Sequence, residues 1–333
     1  MESNLKKTES LWSSILLISP FFLWGTAMVA MKGVTEKTTP LFMASFRLLP
    51  AGILVLIVAI ILGRSQPKSL RAWLWVGLFA LVDGVMFQGF LAEGLMRTGA
   101  GLGSVIIDSQ PLAVALMSSW LFKEVIGVWG WIGLGIGILG ISLIGLPDQW
   151  LIDLWQNHTF NFSLSWDNLF NSGEWLMLLA SLSMAVGTIL IRYVSRHVDP
   201  VVATGWHMIL GGIPLLLASL WGETQQWQQL DLNSWLGLAY STTFGSAVSY
   251  GVFFYLASKG NLTSLSSLTF LTPVFALTFG NLFLSEILSP LQWFGVSLTL
   301  VSIYLINQRD QITQQLKLFF SGTSLPSFFK SES

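Results

Sequence analysis

The sequence contains no cysteine, which removes disulfides, thiolate metal sites and cysteine nucleophiles together. Charge is scarce as well. Only 10% of the 333 residues are Asp, Glu, Lys or Arg, against about 25% in a soluble domain. The net charge of −1 leaves no electrostatic footprint for nucleic acid. No H-E-x-x-H, G-x-x-x-x-G-K or G-x-S-x-G pattern occurs, so the zincin, P-loop and serine-hydrolase signatures are missing. Neither a metal nor a cofactor is expected, and the chain carries no motif for ATP-driven transport. The alternation of a membrane β-barrel is also absent, because the apolar stretches are continuous, as from Ile53 to Leu62.

What is there is apolar surface. Hydrophobic residues make up 53% of the chain and the mean hydropathy is +0.67, more than so few charges can cover in water. A helix crosses the hydrocarbon with about 20 apolar residues and satisfies its own backbone there. Ten such spans are expected: 11–31, 40–62, 73–96, 100–122, 126–146, 174–194, 200–220, 235–257, 262–284 and 289–306. The first is too long for a signal-peptide core of about 7–15 residues, although Lys6 and Lys7 precede it. Many of the sixteen tryptophans, among them Trp12, Trp73, Trp129, Trp175, Trp221 and Trp293, fall near span ends, as in an interfacial belt. The division is then 1–10, a cytoplasmic segment; 11–146 and 174–306, two five-span units; 147–173, a joint outside the cytoplasm; and 307–333, a cytoplasmic tail. Trp150, Leu151, Leu154 and Trp155 in the joint, and Ile312, Leu316, Phe319 and Phe320 in the tail, have helical spacing suited to lying on a membrane. Disorder is the competing reading for the tail.

Positive charge sets orientation. With the N-terminus inside, Lys6, Lys7, Arg64, Lys68, Arg71, Lys123, Arg192, Arg196, Lys259, Arg309, Lys317 and Lys330 are cytoplasmic, and only Lys32, Lys37 and Arg97 lie outside. Both termini are therefore placed in the cytoplasm of a cell with this protein in its inner membrane.

The two halves match each other. At a constant offset of 162, Gly89 meets Gly251, Ser104 meets Ser266, Pro111 meets Pro273, Glu124 meets Glu286, and Trp131-Ile132-Gly133 meets Trp293-Phe294-Gly295. Shifted by two, Pro40 meets Pro200 and Arg47 meets His207. Five spans per unit is an odd number, so the second unit enters the membrane inverted. Inverted repeats with a midplane site between them are a recurring transporter design.

Trp24-Gly25-Thr26 in the first span, Phe46-Arg47 in the second, the Pro111–Glu124 segment and the glycines 133, 135, 137 and 140 resemble an EamA domain, and the second half resembles another. EamA proteins belong to the drug/metabolite transporter superfamily. The resemblance covers roughly 11–306. It implies an all-α integral membrane fold of ten helices in two inverted repeats and export of small metabolites, often amino acids. Val186 stands at the position of Trp24 and His207 at that of Arg47, so the site is expected to be asymmetric.

Ionisable and polar groups inside spans are functional candidates by default. Arg47 is either a cation that grips a substrate carboxylate or a structural partner of Asp83 or Asp108. Asp83 and Asp108 are candidates for proton coupling, and ion pairing with Arg47 is the alternative. Trp24, Gln88, Gln110, His207 and Tyr250 are the remaining substrate-site candidates, each with a packing role as its rival. Pro111 and Pro273 interrupt corresponding helices, the pattern that points to a site between repeats. Glu93 and Arg97 suit an i,i+4 pair, and Glu124 and Glu286 suit helix termini. The expected partners are a small-molecule substrate and the bilayer, with a homodimer left open. An exporter of small metabolites such as amino acids, working by alternating access, is the leading reading. An intramembrane enzyme, a channel-type or structural protein, and a carrier of lipids, nucleotide sugars or drugs are the rivals.

Overall fold

The structure is a computed structural model that describes residues 2–31, 34–97, 106–146, 172–284 and 289–321. Every regular element among the described residues is helical. In chain order these are α1 (Glu2–Ala30), α2 (Pro40–Ile61), α3 (Leu70–Arg97), α4 (Ile106–Phe122), α5 (Gly127–Gly145), α6 (Gly173–Val194), α7 (Pro200–Gly222), α8 (Leu232–Tyr240 continuing through Ser241–Val248 and Ser249–Ala257), α9 (Leu262–Phe283) and α10 (Pro290–Ser321). Seven of them, α2, α3, α5, α6, α7, α9 and α10, are long and apolar enough to cross a membrane. Shorter apolar helices occupy Ser14–Ala30 and Ile106–Phe122. The middle of α8 is rich in hydroxyls (Ser241, Thr242, Ser246, Ser249), all of which are buried.

Helix starts follow from capping chemistry. Pro40 and Pro200 open α2 and α7. Asp199 accepts from the amides of Val201 and Val202, Asp231 from Ser234 and Asn261 from Ser264. The joint 147–173 lies outside the described residues except for Ser172, which caps α6, and Gly173, its first residue. The amphipathic stretch at Trp150–Trp155 lies outside them too, as does Glu286. In the tail, α10 continues unbroken to Ser321, well past the expected span end at 306.

The outer surface is apolar: Ile57, Ile61, Leu74, Leu139, Leu217 and Leu300 all point away from the bundle. Water would not tolerate so continuous an apolar surface, and lipid does. The chain is a multi-pass membrane protein.

Inside, the repeat is visible as paired contacts. On α5 and α10, the Ser302 hydroxyl donates to the Gly133 carbonyl at 2.6 Å, while a Cβ on Gly140 would sit 2.9 Å from the Gly295 carbonyl oxygen. The offset of 162 exchanges Gly133 with Gly295 and Gly140 with Ser302, so one contact is the symmetry image of the other. Small residues at such seams let backbones approach closely in lipid. Gln88 donates to the hydroxyl of Tyr250 at 3.0 Å, and these two positions are themselves 162 apart. A residue that touches its own counterpart lies on the pseudo-two-fold axis.

The same symmetry governs local irregularity. α3 loosens into a π-helical segment at Ala80–Phe87 and α8 does so at Ser241–Val248, equivalent places in the two halves. π segments commonly mark functional positions. α4 is interrupted by a turn at Ser109, just before Pro111. α9 tightens into a 3₁₀ turn at Leu268–Phe270, just before Pro273. Proline cannot donate to the ladder and displaces the carbonyl one turn back, which accounts for both interruptions.

Candidate functional site

The two interrupted helices border one cavity of about 670 Å³, large enough for a small organic molecule and lined from both halves. Trp24 (α1), Arg47 (α2), Asp108 and Gln110 (α4) reach it from the first unit, and Gly245, Tyr250 (α8), Thr272 and Pro273 (α9) from the second. Most of the wall is apolar, including Phe87, Leu91 and Met184. The cavity extends to the end of the bundle where α1, α3 and α5 finish, as shown by Thr35, Leu95 and Gly145 in its lining.

At the opposite end of the bundle, side chains of the two units are tied to each other. Glu124 accepts from the amides of Leu262 and Thr263 and from the Thr263 hydroxyl, at 3.1, 3.3 and 2.9 Å. It thereby caps α9 and places a carboxylate at the positive end of that helix. Arg192 lies 3.4 Å from the same carboxylate and also donates to the carbonyls of Ala257 and Gly260. Arg309, on α10, donates to the Val125 carbonyl and the Ser264 hydroxyl. At the cavity's own end Glu223 plays the matching part for α2, accepting from the amides of Leu41 and Phe42 and from Thr39. Each carboxylate caps a helix of the other unit.

The residues named from sequence fall into two groups. Trp24, Arg47, Asp108, Gln110, Tyr250 and Pro273 line the cavity. Trp24 meets Tyr250 edge-on with ring centroids 5.2 Å apart, and Gln88 stands behind Tyr250 and holds its hydroxyl. Gln110 donates to Thr188 at 3.2 Å. Arg47 reaches the Ser246 hydroxyl at 3.4 Å.

Asp83 and His207 are elsewhere. They bond to each other at 3.1 Å, 0% and 1% exposed, with the imidazole between Phe79 and Phe254. Asp83 therefore does not partner Arg47, and the structure does not gather the three charges into one cluster. Asp108 has no ion-pair or hydrogen-bond partner among the described residues. Glu93 and Arg97 form their i,i+4 pair at 2.7 Å. Pro111 is buried at the start of its helical segment.

Several buried polar atoms on the cavity residues have no partner among the described residues: Trp24 Nε1, Arg47 Nε, Gln110 Oε1, Ser241 Oγ and Thr272 Oγ1. Unpaired buried polar atoms are rare and call for an explanation, and their convergence on one apolar-walled cavity is the signature of a ligand site. Ser241, Ser246 and Thr272 were not singled out by sequence. The signal for Thr272 was available, since it is the offset-162 counterpart of Gln110. Short hydroxyl side chains in apolar helices otherwise read as ordinary packing.

No three or more His, Cys, Asp or Glu side chains group as metal ligands among the described residues. Outside the membrane helices, Asp231 is held well below the ordinary carboxylate range by the Ser234 hydroxyl first and by Lys37 next.

Residues 11–146 and 171–308 each match the EamA-like transporter family. A protein of Synechocystis sp. described as an uncharacterized transporter is 65% identical over 98% of this chain and 99% of its own length. A chloroplastic WAT1-related protein of Arabidopsis thaliana is 53% identical over 88% of this chain and 68% of its own. An uncharacterized inner membrane transporter of Escherichia coli K12 is 25% identical over 87% of this chain and 89% of its own. A protein known from its crystal structure superposes with a TM-score of 0.74 at 14% identity, covering 91% of this chain and 97% of the other, and so shares the fold.

Proposed function

Since this chain belongs to the EamA-like transporter family, we propose that it is a carrier that moves small organic metabolites such as amino acids through the cavity between its two repeats. The number of crossings in this reading is ten, with the two units inverted and both termini cytoplasmic, as the twelve-to-three distribution of positive charge requires. Transport is by alternating access, facilitative or coupled to an ion gradient, and in the direction of export.

The observation that carries the reading is the cavity itself. It is built from both repeats and bordered by the broken helices α4 and α9, and among the described residues its lining reaches the end of the bundle where α1, α3 and α5 finish. A channel is open at both ends, whereas a carrier closes one end at a time. In this reading the end tied together by Glu124, Arg192 and Arg309 is the closed one. Trp24, Arg47, Gln110 and Tyr250 are the substrate contacts, with Gln88 positioning Tyr250. Asp108 is the proton-coupling carboxylate exposed to the cavity, and Asp83 with His207 is a second, enclosed acid–base pair.

The test is uptake of a labelled amino-acid panel into proteoliposomes, with and without a pH gradient. Saturable flux that Thr272→Trp abolishes by filling the cavity is the expected result. Asp108→Asn is expected to remove any dependence on the gradient while the protein stays folded. Undiminished flux in Thr272→Trp would show that the cavity is not the path.

A further inference from the structure

The two halves treat their basic residue differently. On α7, His207 lies against the π segment of α3 and bonds to Asp83 at 3.1 Å. The repeat carries His207 onto Arg47 and Asp83 onto position 245. Arg47 does lie against the corresponding π segment of α8, since it bonds to Ser246 there. Position 245, however, is glycine and lines the cavity beside Arg47. No acid fits there: a Cβ at 245 would fall 2.5 Å from the Cβ of Ala27 on α1, closer than packed carbons come. One half thus sets an acid beside its basic residue at this position, and the other has no room for one.

Arg47 is also the side chain with more to gain. Guanidinium stays protonated under all ordinary conditions, and taking an unpaired cation out of water is costly. Its Nε has no partner among the described residues, and Asp108, although it lines the same cavity, makes no bond to it. No carboxylate among the described residues pairs with Arg47.

Resting on the carrier reading above, we propose that the cavity is an organic-anion site, in which a carboxylate on the transported molecule occupies the place that Asp83 occupies beside His207 and pairs with Arg47. A guanidinium fork matches a carboxylate in two parallel hydrogen bonds. The rest of the molecule is largely apolar, to suit Trp24, Phe87, Leu91 and Met184, with room for a polar group that meets Asp108, Gln110 or Thr272. A phosphate dianion does not suit a wall with a single arginine.

The absence of native cysteine makes a direct test available. Met43 lies one helical turn before Arg47, lines the same cavity, and as Met43→Cys gives a single reactive thiol. The full chain in detergent is labelled with a sulfonate-bearing and with a trimethylammonium-bearing methanethiosulfonate. The ratio of the two rates is expected to fall about tenfold or more when Arg47→Gln is added and to be kept by Arg47→Lys. Phenylacetate is expected to slow labelling, and phenylacetamide, the same body without the charge, is not. A ratio that ignores Arg47→Gln overturns the proposal, and so does protection by both compounds alike or by neither. Acid-selective protection in a protein whose flux survives Thr272→Trp would instead sink the carrier reading and keep the anion site.

Discussion

Replacing either member of the Asp83–His207 pair should cost far more than replacing both. The two side chains are 3.1 Å apart and essentially unexposed. Both groups are out of water, so each depends on the other for its hydrogen bond. Breaking such a pair from one side leaves a buried polar group alone, which costs about 3–5 kcal/mol. His207→Leu leaves Asp83 buried against Gly187 without its hydrogen-bond partner. Asp83→Ala leaves the imidazole between Phe79 and Phe254. The double variant has no orphan, so the coupling energy across the cycle should be about 2 kcal/mol or more, toward the upper part of the usual range for contacting residues. Reversible unfolding in mixed dodecyl sulfate micelles, followed by tryptophan fluorescence, measures all four corners. Singles that simply add, with coupling below about 0.5 kcal/mol, would refute the argument that the two buried groups depend on each other.

Four further outcomes are expected. Gly140→Val drives a branched side chain into the Gly295 backbone and should lower stability by about 1–3 kcal/mol, whereas Gly135→Ala, with open space around it, should be near neutral in the same assay. Glu124→Ala removes the cap of α9 and the partner of Arg192; hydrogen exchange at the amides of Leu262 and Thr263 should quicken severalfold, while that at Leu41 and Phe42, capped by Glu223, should not change. Asp231 has its carboxyl depressed, so its contribution is complete above the ordinary carboxylate value and is lost only as pH falls through the lower folded one; Asp231→Asn should flatten the acid limb of a stability–pH curve, and an unchanged limb would count against the cap. Single cysteines placed at residues 64–71 should react with impermeant maleimide only after the membrane is opened; reaction in intact cells would reverse the assigned orientation.

Much of the fold was legible in the sequence because lipid simplifies the code. Continuous apolar runs, proline at span starts and the 162 offset lead to helices such as Pro40–Ile61 and Pro200–Gly222 with little ambiguity. The end of α10 was harder to read, since Asn307 to Leu316 is polar enough to look like a tail although it continues the helix. The site was half legible. Arg47, Trp24, Gln110 and Tyr250 stand out as polar or aromatic groups in apolar helices, and they do meet. The pairing of Asp83 with His207 instead of Arg47 was not readable, because it depends on which π segment faces which helix. Glu223 was missed for a similar reason: it caps α2, a helix about 180 residues away in the chain, and local sequence carries no trace of that contact.

The bond between Gln88 and Tyr250 has a consequence for ancestry. Two separate copies of one five-helix chain, assembled about a true dyad, must set identical residues face to face on the axis, amide to amide or phenol to phenol. An amide donating to a phenol across that line is open only to halves that have become unequal within a single polypeptide. The same freedom lets one half keep an acid beside its basic residue while the other discards it, which no symmetric dimer of a single repeat can do.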